Sequence, residues 1–85
     1  VTAKQIRIAA SIDSAIHPFL RADKDDVAIL AGMGEHMTDF KYILDTAQPG
    51  VMDELCQRYP GFYQYAKVLE NIAGAIQSGA IKVPR

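Results

Sequence analysis

The chain has 85 residues, enough for one domain and too few for two. Its formal net charge is −1, with its nine Lys and Arg scattered rather than striped. This disfavours a nucleic-acid module, while a hydrophobic share of 49% argues against disorder. Cys56 is the only cysteine, so no internal disulfide forms within one chain and a cysteine-based zinc site lacks ligands. The chain opens on Val1, shows no signal-peptide pattern and contains no apolar run of bilayer length. The reading is a cytoplasmic protein with no membrane association.

Thr2 and Gln5 have capping-box spacing. Ile8, Ile12, Ala15, Ile16 and Phe19 then recur at helical intervals, predicting a first helix from about Ala3 to about Ile16. Pro18 disfavours helical geometry at His17 and removes a donor, so the helix is expected to stop there. Asp23 is the expected N-cap of a second helix, with Asp25 and Asp26 in its first turn. Its apolar seam is Leu30, Met33, Met37, Phe40 and Leu44. Gly32 and Gly34 interrupt that seam. They predict either close packing of another chain segment or a kink.

Pro49-Gly50 is turn chemistry. A short third helix is expected from Val51 to about Tyr59, and Pro60-Gly61 breaks the chain again. The fourth helix presents Phe62, Tyr65, Ala66, Leu69, Ile72, Ala73 and Ile76 on one face and ends at Gly79. Residues 80–85 form a short tail, in which Ile81 and Val83 either pack back on the bundle or belong to a longer chain. The expected fold is all-α, a small four-helix bundle (or three long helices plus one short), with residues 1–85 a single helical domain. Leu30, Met37, Phe40, Leu69, Ile72 and Ile76 are its expected core.

The candidate chemistry is sparse. Gly32-Met33-Gly34 lacks the third glycine and preceding strand of a dinucleotide loop. Counting from Asp23, the sixth and twelfth residues are Ala28 and Gly34, not the glycine and glutamate of a calcium loop. His36, Asp39 and Glu35 are the candidate ligand-binding residues, since a His–Asp pair three residues apart on a helix serves either as base and orienter or as a metal-ligand pair. Satisfaction of a half-buried histidine is the stronger explanation of that pair, and no metal or cofactor is expected. His17 is assigned to a helix end and Cys56 to a small buried hydrophobe.

By elimination the chain is a non-enzymatic helical protein-interaction module that self-associates, with another protein or a second copy as partner. Small domains with several apolar seams often complete their cores across a partner. Tyr59, Tyr63, Phe19 and Ile12 are the expected interface residues, around a leftover apolar patch near the two tyrosines and the outer flank of the first helix. A small-ligand or metal site around His36 and Asp39 is the alternative, followed by a DNA-binding regulator.

Overall fold

A computed structural model describes residues 1–81 and shows an all-α bundle. Its helices are α1 (Ala3–Arg21), α2 (Asp26–Met33), α3 (Met37–Thr46), α4 (Val51–Arg58) and α5 (Pro60–Gln77). A single 3-10 turn, Gly34–His36, joins α2 to α3. Taken together those two are the one broken helix predicted across the glycines, so the chain is a four-helix bundle. Val83 of the predicted tail lies outside the described residues.

The start of α1 follows the expected capping box. The Gln5 N–H donates to the Thr2 hydroxyl at 3.1 Å, and the Thr2 N–H donates to Gln5 Oε1 at 2.9 Å. Gln5 is buried, and its amide nitrogen also donates to Thr46 at the far end of α3. The stop at Pro18 is a correction, because α1 runs on to Arg21 with Pro18 inside it. Pro18 lies close to the helix end, where only one backbone bond is lost. The ring of Phe19 packs over Gly32 and anchors the final turn. Asp23 is a second correction. It takes a left-handed φ of 54° in the turn, a conformation Asp tolerates. Asp25 is the cap instead, accepting from the Ala28 N–H at 2.8 Å.

Gly50 (φ 89°) starts α4 and Gly79 (φ 83°) follows α5, as the turn chemistry predicts. The two seam glycines have different roles. A Cβ on Gly32 runs into the Phe19 ring, whereas one on Gly34 meets nothing within 4 Å. The backbone of Gly34 is already right-handed helical, at φ −58° and ψ −30°. Gly34→Ala is therefore expected to stabilise the fold by roughly 0.4–1 kcal/mol through the unfolded state. Gly32→Ala should show no such gain, because the aromatic ring must swing away. Thermal melts of the two variants check this contrast.

The core gathers Ile8, Ala9, Ile12 and Ile16 of α1, Ile29 and Met33 of α2, Phe40 and Ile43 of α3, Val51 and Leu55 of α4, and Phe62, Tyr65, Val68 and Ile72 of α5. Of the expected core, Phe40 and Ile72 are buried, Leu30 and Leu69 are half-buried, and Met37 and Ile76 are exposed. The reason is a tilt of each buried face toward one edge of its predicted arc: Met33, Phe40, Phe62, Tyr65 and Ile72 stay inside, while Met37, Leu44 and Ile76 turn out. Ile29 and Ile43 point inward where Leu30 and Leu44 were expected to. On α5 the buried residues are Gly61, Phe62, Tyr65, Val68 and Ile72, so Val68 is buried where Ala66 and Leu69 were expected to be.

The helix break is held from across the bundle. At the 3-10 turn the Met37 N–H turns to the Gly34 carbonyl instead of reaching back to Met33. The Tyr65 hydroxyl, fully buried, donates to the Met33 carbonyl at 3.0 Å. Burial pushes that hydroxyl above its ordinary pKa of 10.0, so it stays a donor.

Candidate functional site

The sequence-predicted residues do not assemble into one site. The side chain of His36 is 17% exposed and turned toward the protein. Its Nε2 lies 3.8 Å from Glu35 Oε1, while Asp39 is exposed and makes no ion pair or hydrogen bond with it among the described residues. Among those residues no group of three His, Cys, Asp or Glu side chains is arranged to hold a metal. His17 is exposed, with Nε2 3.7 Å from Asp13 Oδ2.

The expected interface residues separate too. Ile12 is completely buried, which assigns it to the core and not to an outer flank of α1. Phe19 is half-buried over Gly32. Tyr59 is half-buried at the start of α5, one turn before Tyr63, whose N–H donates to the Tyr59 carbonyl at 3.3 Å. Only Tyr63 of the four is exposed. Cys56 is half-buried, and burial together with the nearby Asp53 charge pushes its thiol pKa up, away from the reactive thiolate.

An open apolar concavity lies elsewhere, between α3 and α5. It follows from how the helices pack. α5 rests on α1, α2 and α4, whereas α3 leans on α1. Phe40 bridges the gap, with its ring centroid 5.4 Å from that of Phe62 and 5.7 Å from that of Tyr65. Outside that aromatic contact the helices leave a groove of about 440 Å³. One wall is Met37, Phe40, Lys41 and Leu44 of α3, and the other is Ala66, Leu69 and Glu70 of α5.

The displaced faces account for the groove's chemistry. Met37 and Leu44 belong to the predicted seam, yet they are 46% and 54% exposed. Ala66 and Leu69 belong to the predicted stripe of α5 and sit just beside its buried line. Both apolar arcs are wider than the core they cover, and their spare edges face each other across one cleft. The rim carries one positive charge on α3 and one negative charge on α5. Glu70, itself exposed, is also 3.6 Å from the half-buried Lys67 on its own helix. Such a pair contributes little and is easily shared with another cation.

Of these residues Met37 and Leu69 are expected core and Leu44 and Ala66 lie on the predicted apolar faces, and helical spacing alone does not mark any of them as surface. The signal was present as surplus: more apolar positions per helix than one narrow face requires.

Comparison with protein-family models, curated proteins and solved structures finds no match for this chain. Among the described residues no helix is long and apolar enough to cross a membrane.

Proposed function

We propose that the chain is a small non-enzymatic helical module that binds protein through the α3–α5 groove. The observation that supports this is the pair Met37 and Leu44, large apolar side chains half in solvent, along one wall of a cleft that Phe40, Ala66 and Leu69 also line. Exposed apolar surface gathered in a concavity, here with Lys41 and Glu70 on its rim, gains most from a partner that covers it. A cleft between two helices fits an amphipathic helix, whose apolar side chains recur at the same intervals as the walls. A reducing, cytoplasmic setting is part of the proposal and rests on the single, half-buried Cys56.

The test is a titration with a short amphipathic peptide carrying leucines at helical spacing, followed by amide and methyl chemical shifts. Shifts concentrated at Met37, Leu44, Ala66 and Leu69, and lost in Leu44→Asp, are the expected result. Binding elsewhere, or none at millimolar peptide, would overturn the groove as a protein-binding site.

A further inference from the structure

We propose that the natural occupant of the groove is the α3 helix of a second copy of this chain, in a two-fold pair held by reciprocal Lys41–Glu70 bridges. The inference rests on the groove reading above and names its partner.

Self-complementarity is the argument. A two-fold interface must satisfy one condition: where a residue of one copy meets a given residue of the other, the reverse contact is made as well. The groove meets it in both shape and charge. Met37 and Leu44 project from α3. They are seven residues apart, about 10 Å along a helix. Ala66, the smallest lining residue, leaves the α5 wall shallow beside Leu69. The same patch therefore carries both projections and a recess.

Charge selects among partners. The rim holds Lys41 on α3 and Glu70 on α5, one of each sign on opposite walls. A uniformly acidic or basic partner gains at one rim residue what it loses at the other. A second copy turned by a two-fold axis sets Lys41 of one chain against Glu70 of the partner subunit, and the reverse bridge forms at the same time. Lys41 takes no ion-pair partner within its own chain among the described residues, whereas Glu70 shares its carboxylate with the half-buried Lys67. Lys41 lies between Met37 and Leu44 in sequence, so each bridge closes beside an apolar contact and is partly shielded from water.

The experiment is sedimentation velocity on the unaltered chain across a dilution series, beside Lys41→Glu, Glu70→Lys and an equal mixture of the two. A concentration-dependent dimer is expected. Each single variant should weaken pairing by about tenfold, because both bridges become like-charge contacts. In the mixture both bridges again join opposite charges, and pairing should return as a heterodimer. Circular dichroism on each variant separates lost pairing from lost folding. A monomer into the millimolar range overturns the proposal, as does a dimer indifferent to both charge changes or to Leu44→Asp. A monomer that still binds the leucine peptide at Met37 and Leu44 removes self-pairing alone. A chain that binds neither peptide nor itself removes the groove reading as well.

Discussion

Phe62→Ala is expected to remove about 3–5 kcal/mol of folding stability, the range for deleting a fully buried aromatic ring. The domain as a whole holds about 4–13 kcal/mol at the usual stability per residue, so the variant should lie near the edge of folding. Phe62 is completely buried and stacks at a tilt on Phe40. Its loss empties the position where α3 and α5 touch, and α3 has few other contacts with α5. Urea titration measures the effect as a lower midpoint. Leu69→Ala is the comparison. Its seam position in the sequence assigns it a loss of about 2–5 kcal/mol, but Leu69 is half-buried on the groove wall. A loss closer to 1 kcal/mol is expected, because part of the side chain is already in water. Equal losses at the two positions would place Leu69 in the core.

Gly61→Ala is expected to cost about 2–4 kcal/mol through a steric clash and a weakened charged hydrogen bond. A Cβ there would lie 2.8 Å from both the Cα and the carbonyl oxygen of Asp13, and 2.6 Å from its Oδ1. Backbone atoms of α1 cannot rotate away as the Phe19 ring can, so the two helices must separate. That separation strains the bond in which the Gly61 N–H donates to Asp13 Oδ1 at 2.6 Å. The same change at Gly74, in the same helix, meets nothing within 4 Å. There alanine should stabilise by roughly 0.4–1 kcal/mol. Thermal or chemical melts of the two variants should shift in opposite directions, and a shared direction would contradict the close approach of α1 and α5.

These residues show what periodicity reveals. The capping box at Thr2, the turns at Gly50 and Gly79 and the all-helical class follow from local chemistry, and the sequence contains that chemistry in full. The burial of Ile29 and Ile43 in preference to Leu30 and Leu44 does not. All four lie on one broad apolar arc, and the edge that faces inward depends on where α1 and α5 approach. Periodicity locates the arc without orienting it. The groove was hidden for the same reason, since its apolar residues are indistinguishable from core residues until the helices are placed. Pro60-Gly61 was legible as a break, but the close approach of Gly61 to Asp13 spans 48 positions and leaves no local mark. Pro18 shows the reverse case, in which a strong local stop signal is overridden by the packing of Phe19.

The Asp13–Gly61 bond also bears on how this protein can change through evolution. Tyr59 stands at the N-cap position of α5 and gives no side-chain hydrogen bond there. The carboxylate that fills this need is encoded in α1. A helix that carries its own cap can be exchanged between proteins as a cassette by recombination, but α5 depends on an acid contributed by a distant segment of the chain. Insertions in the intervening turns are expected to be tolerated as long as the two helices still meet in register. A crossover between positions 13 and 61 passes on a working α5 only when both parents brought the same handshake.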